Sequence, residues 1–180
     1  MLHFLLLICF VTPILGLGHL DGKVLIPSNY SKCHRPVLDR SSIMNISVGL
    51  VITQIVDIDF EESSLDFNVE FIMNWKDELI DIEEGFDDRV EVQDISQIWT
   101  PDLYIYKLKK FEIKKTSKSA THLTLKRNGS AIDVLYIFET EVVIICAAQF
   151  TDFPFHKHDC FLELSSFTKT NHKINFLPNH

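Results

Sequence analysis

Past its first eighteen residues, this 180-residue sequence lacks any long apolar run. A helix that crosses a bilayer needs about 20 consecutive apolar residues. The longest later candidate, Val142 to Ala148, falls far short, so the residues given cannot form a pore by themselves. Positive charge is also scarce. Seventeen Lys and Arg stand against 25 Asp and Glu, for a net charge of -8, which argues against nucleic acid and against an anionic membrane surface as partners. With only 6 glycines, the chain has neither a phosphate-cradling glycine loop nor a Gly-x-Ser-x-Gly nucleophile turn. No internal repeat or low-complexity segment is present.

The opening stretch, Met1 to Gly18, is apolar and carries no Lys, Arg, Asp or Glu. Gly16 and Gly18 supply small residues at −3 and −1 of a cut before His19. Residues 1–18 therefore read as a secretory signal peptide rather than an anchor, since Pro13 interrupts the run and it is short for a span. Residues 19–180 suffice for one domain with a real core. Secretion implies an oxidising compartment, in which Cys146 and Cys160 are expected to pair and close a compact loop. Loss of Cys9 with the signal would leave Cys33 unpaired, implying a partner chain, a free thiol or a mate outside this sequence. Three sequons, at Asn29, Asn45 and Asn128, accord with the same compartment.

Periodicity sets the fold class. Residues 20–34 allow a short amphipathic helix, limited by Pro27. From Ile46 the period becomes two: Ile46, Val48, Leu50, Ile52, Val56 and Ile58 share a face on which Gln54 is the one polar member. After an acidic turn at residues 60–64, Leu65, Phe67, Val69, Phe71, Met73 and Trp75 alternate with polar residues. Two long half-buried strands joined by that turn are the simplest reading. Residues 76–94 read as an acidic, irregular loop region, and residues 107–118 as a basic exposed one. The runs Thr121 to Leu125 and Ile132 to Ile145 flank Asn128-Gly129, a hairpin signal. Phe161 to Phe167 reads as one more short strand. The expected architecture is an all-β, immunoglobulin-like β-sandwich with a short N-terminal helix. It is not a true immunoglobulin domain, whose cysteines bracket a Trp in sequence and join opposite sheets.

Catalytic chemistry has almost no support. His156, His158 and Asp159 have the spacing of a strand-borne metal site, but no third ligand stands at a telling distance. They read as surface or packing residues. The acid pairs Glu61-Glu62 and Glu83-Glu84 sit in turns and read as solvated. The chain is read as no enzyme, with no metal and no cofactor.

Several motifs in order carry a resemblance. Asn29-Tyr30-Ser31-Lys32 with Arg35-Pro36-Val37, then Trp75-Lys76-Asp77, Trp99-Thr100-Pro101-Asp102, Gly129 with Val134-Leu135-Tyr136, and two cysteines around Phe153-Pro154-Phe155 together resemble the Cys-loop family of pentameric neurotransmitter-gated ion channels. The resemblance implies an extracellular ligand-binding domain over residues 19–180, working in a homo- or hetero-pentamer. A small transmitter would bind between subunits to gate ion flow in the full-length receptor at the plasma membrane. It assigns Tyr106 to the aromatic position of loop A, Phe167 to that of loop B and Glu70 to loop D. Glu70 also has the parity opposite to Trp75, so it should point away from the core. Aromatic rings suit an amine ligand. Coupling to the membrane helices falls to Phe153, Pro154, Phe155 and His156, with Asp59 and Glu61 in the acidic turn. His156 stands where the family carries Asp. The resemblance stops at His180, before the last strands, the loop C cap and the four membrane helices, so a fragment of a longer subunit is expected. The alternative is a soluble secreted transmitter-binding protein without a channel.

Overall fold

The computed structural model describes residues 18–20, 23–113, 121–149, 157–166 and 174–178. Their strands, in chain order, are β1 (Gly18–Leu20), β2 (Val24–Ile26), β3 (Met44–Asp59), β4 (Ser64–Asp77), β5 (Asp81–Ile82), β6 (Arg89–Val92), β7 (Tyr104–Ile105), β8 (Leu108–Ile113), β9 (Thr121–Asn128), β10 (Ala131–Ile145), β11 (Ala147–Gln149), β12 (Lys157–Asp159), β13 (Leu164–Ser165) and β14 (Ile174–Pro178). One 3-10 turn, Ile95–Gln97, is capped by Asp94, whose carboxylate accepts from Ser96 N.

The dominant sheet has seven strands in the order β14-β3-β4-β10-β9-β6, with β8 pairing β10 beyond the end of β9. The β3–β4 pair is the long hairpin the alternation predicts, and β9–β10 turns through Gly129-Ser130, one residue later than the Asn128-Gly129 signal, with Asn128 paired to Ala131 and Gly129 at a φ of 65°. A left-handed backbone at the first loop position suits glycine, which has no Cβ to clash. On the inner face, Phe67, Val69, Phe71, Met73 and Trp75 of β4 lie beside Val134, Phe138, Val142 and Ile144 of β10, all buried. Phe71 and Phe138 stack at 5.1 Å. Each such side chain contributes about 1.5–3 kcal/mol by leaving water. The second layer consists of short ladders, β1-β2-β5 and β7-β13, which send Leu20, Val24, Ile82 and Ile105 into the same core.

Three motif segments meet at a buried carboxylate. Asp77 closes β4 and is fully buried. Its Oδ2 accepts from the Tyr30 hydroxyl at 2.9 Å, and its Oδ1 from the backbone N–H of Leu79 at 2.9 Å and Ile80 at 3.1 Å. The Tyr30 oxygen in turn accepts from Trp99 N at 3.0 Å. Burial raises the Asp77 carboxyl to about 6 despite these donors, and burial with the neighbouring Asp77 charge raises the Tyr30 hydroxyl.

Several expectations change. No helix occurs among the described residues of 20–34. Val24 and Ile26 satisfy their backbone in β2, and turns follow at Tyr30 N→Pro27 O and His34 N→Ser31 O. Pro27 lacks the N–H a helix would need there. Cys33 is disulfide-bonded rather than unpaired. The loop region 76–94 contains β5 and β6, and the basic stretch contains β8. Phe161 to Phe167 shortens to Leu164–Ser165 among the described residues. In β3, register shifts at Thr53 and Val56 each insert one extra residue. Two such bulges reset the period. Gln54 therefore pairs Asn68 on the outer face, and Ile55 replaces Val56 on the inner-facing row.

Candidate functional site

Glu70 lies on the outer face of the large sheet, half-buried, as its parity predicts. Val51 stands opposite it on β3 and Glu139 on β10. The next row toward the β3–β4 turn holds Gln54, Asn68, Glu141 and Glu112, and the row after that Asp57, Asp66, Val143 and Lys110. Like charges directly opposite one another cost stability and favour a nearby cation. Lys110 serves that purpose for Glu141 and for Glu112, the latter at 3.2 Å. Among the described residues Asp66 has a buried Oδ1 with no hydrogen-bond partner, and burial, then Glu141, raises its carboxyl above the usual range against the pull of Lys110. Negative potential thus concentrates on this face, around Glu70.

Tyr106 occupies a different layer. β7 pairs β13 with Ile105 opposite Leu164, and Tyr106 N donates to Glu163 O at 3.1 Å just beyond the ladder. Ile105 turns into the core while Tyr106 remains 51% exposed. The Lys107 ammonium lies 5.8 Å from the ring centroid, so the ring face accepts a cation. β13 leads toward Phe167, which lies outside the described residues. Ser166, the last described residue before it, donates its hydroxyl to Asp102 Oδ1 at 3.1 Å, tying that segment to the Trp99-Thr100-Pro101-Asp102 motif. The fold therefore gathers Tyr106 and the approach to Phe167 on one ladder. Glu70 sits on another sheet, and β4 and β7 share no pairing.

At the far end of the hairpin, Cys146 and Cys160 form the expected disulfide. Cys146 N donates to Ser63 O at 2.7 Å, fastening the bridge to the acidic turn. Asp59 Oδ1 accepts from the N–H of both Glu61 and Glu62 at 2.9 Å, so its carboxylate shapes the turn. Glu61 is exposed, and Glu62 pairs with Lys109. The exposed Phe60 ring meets His158 edge-on at 5.5 Å, a contact between the turn and the disulfide loop that sequence spacing did not reveal. Phe153, Pro154, Phe155 and His156 lie outside the described residues. Among the described residues no group of three or more His, Cys, Asp or Glu is arranged to hold a metal, and no helix is long and apolar enough to cross a membrane. The sequon asparagines Asn29, Asn45 and Asn128 are all exposed.

Residues 23–180 match the family described as "Neurotransmitter-gated ion-channel ligand binding domain". Among curated relatives, the chain is 27% identical over 165 residues to "Acetylcholine receptor subunit alpha-type acr-5" of Caenorhabditis elegans, covering 87% of this chain and 27% of that protein. It is 26% identical over 159 residues to "Betaine receptor acr-23" of the same organism, covering 85% of this chain and 29% of that one. With human "Neuronal acetylcholine receptor subunit alpha-10" it shares 24% identity over 183 residues, covering 96% of this chain and 39% of that one. The chain thus spans well under half the length of these relatives.

Proposed function

The chain belongs to the neurotransmitter-gated ion-channel ligand-binding domain family, and from that premise we propose that it binds a small cationic transmitter between subunits of a pentamer. One observation carries the reading. An exposed aromatic, Tyr106, lies on one layer and the acidic face around Glu70 on another, so a single chain offers two separate half-sites. Assembly in a ring brings the Tyr106 side of one subunit against the Glu70 face of the next. Tyr106 and Phe167 then present ring faces to an ammonium group, and Glu70 adds a countercharge. Two of the relatives are named for acetylcholine and betaine, both quaternary ammonium compounds, which fits this chemistry.

The rest of the reading follows the same premise. Residues 1–18 direct secretion, residues 19–180 form the extracellular domain, and Asn29, Asn45 and Asn128 carry glycans. In a full-length subunit at the plasma membrane, Asp59 and Glu61, with Phe153, Pro154, Phe155 and His156, relay binding to the membrane helices. The family's role is recognition and gating, with no catalytic step.

Calorimetric titration of the secreted chain with acetylcholine and with betaine tests this, alongside sedimentation to establish the assembly. A ring contact to ammonium is worth about 0.5–2 kcal/mol, so Tyr106→Ala should weaken binding by roughly 2- to 30-fold. Glu70→Gln should act in the same direction. Affinity unmoved by both changes would overturn the proposed site.

A further inference from the structure

A groove of about 620 Å³ opens on the outer face at the end of the large sheet where β3 begins. Its floor is polar: Ser47 lies opposite Asn74, and Lys76 opposite Asp133 on the next strand. Its walls are apolar, from Val37 and Ile43 ahead of β3 and from Leu177 on β14. The wall segment is held in place by Leu38 N, which donates to Glu78 Oε2 at 2.7 Å, and by Glu78 N, which donates to Pro36 O at 3.0 Å.

Asn45 lines this groove and opens the sequon Asn45-Ile46-Ser47. Its Oδ1 accepts from Asn175 Nδ2 of the parallel neighbour β14 at 3.4 Å. Among the described residues its own Nδ2 makes no hydrogen bond, so the nitrogen that takes the sugar is available. The other two sequons differ. Asn128 stands at an exposed hairpin tip, with its Nδ2 donating to Asp133 Oδ2 at 2.7 Å, and Asn29 sits in an exposed turn. Neither lines the groove.

We propose that this groove seats the stem of an N-linked glycan on Asn45, with the first N-acetylglucosamine lying against the sheet. The inference rests on the secretory reading given above. An N-acetylglucosamine presents hydroxyls and an acetamide, which need both donors and acceptors, together with a methyl group and a ring of C–H bonds. Lys76 donates, Asp133 accepts, Asn74 does both, and Ile43 and Leu177 cover the apolar parts. The stem, longer than one sugar, would run from β14 and β3 toward β4 and β10 and pin the segment ahead of β3 over them. The glycan then acts as a structural part of this end of the domain.

The whole chain, secreted from eukaryotic cells, is examined by glycopeptide mass spectrometry, then digested under native conditions with a glycan-releasing amidase. The Asn45 glycan should leave at least about tenfold more slowly than the Asn128 glycan, the effect of one or two retained hydrogen bonds. Denaturation should erase the difference. Lys76→Ala, an exposed-side-chain change that leaves the sequon intact, should speed release at Asn45 alone. Equal native rates, or an empty Asn45 beside an occupied Asn29 or Asn128, would overturn the groove while leaving secretion intact. All three sequons empty on the secreted chain would likewise overturn the groove, and a chain retained inside the cells would overturn the secretory reading it rests on.

Discussion

The two halves of β3 have the same apolar alternation and opposite fates. Ile46 is fully buried, whereas Ile52 is 60% exposed. From Leu50 to Ile58 every apolar side chain of the strand is exposed. Both halves pair with β4, so the sheet itself does not distinguish them. The first half is flanked by β14 and lies at the end where Asp77, Tyr30 and Trp99 lock the second layer down. Beyond Val48 no described strand pairs the outer edge of β3. Hydrophobic burial requires a facing layer as well as an alternating strand, and an open apolar edge is a template for association.

The sharpest way to break this comparison is a matched pair of truncations. Ile46→Ala should cost about 2–5 kcal/mol by leaving a cavity, while Ile52→Ala should cost under about 1 kcal/mol. Urea unfolding midpoints measure both, and equal losses would mean that the second half is covered in solution. Next in size is a test of the locked end through Asp77. Its folded carboxyl is raised from 3.8 to about 6, so the folded state binds the proton more tightly than the unfolded chain. Stability should therefore fall as pH rises from about 4 through 6, by roughly 3 kcal/mol. Asp77→Asn should remove that part of the slope, as read from unfolding curves at pH 4 and pH 7, and an unchanged difference would exclude Asp77 as its source. The smallest effect on stability belongs to the open half. Val56→Lys, at a bulge on the exposed edge, should shift stability by no more than about 0.5 kcal/mol. Self-association of the chain, measured by sedimentation, should nevertheless decrease.

Much of the candidate site was legible residue by residue, and its assembly was not. The orientation of Glu70 followed from counting in twos back from Trp75, because a strand permits only two faces. Its acidic neighbours did not, since Glu139 and Glu141 reach that face only through the β4–β10 register. The Asp59 carboxylate was expected in coupling, and in the structure it also braces the turn that would do the coupling. Phe60 and His158 are almost a hundred positions apart in the chain, and no local pattern announces their contact.

Gln54 shows how the pattern resolves. On a regular strand it would have been a lone polar group on the apolar row. The bulge at Thr53 carries it across to Asn68, whose Nδ2 donates to Gln54 Oε1 at 3.2 Å. A misfit in the alternation was the trace of a bulge, yet period-two counting could not tell which residue was extra.

The sequence by itself determined the family, the two long hairpins, the disulfide and the facing of Glu70. These depend on neighbours in the chain or on motifs whose spacing is fixed. Tertiary structure alone decided which half of β3 is buried and which strands carry the acidic face. It also raised the Asp77 carboxyl and opened a polar groove beside Asn45. Each of these depends on what packs against a residue from a distant segment, and that determines desolvation, pairing and exposure.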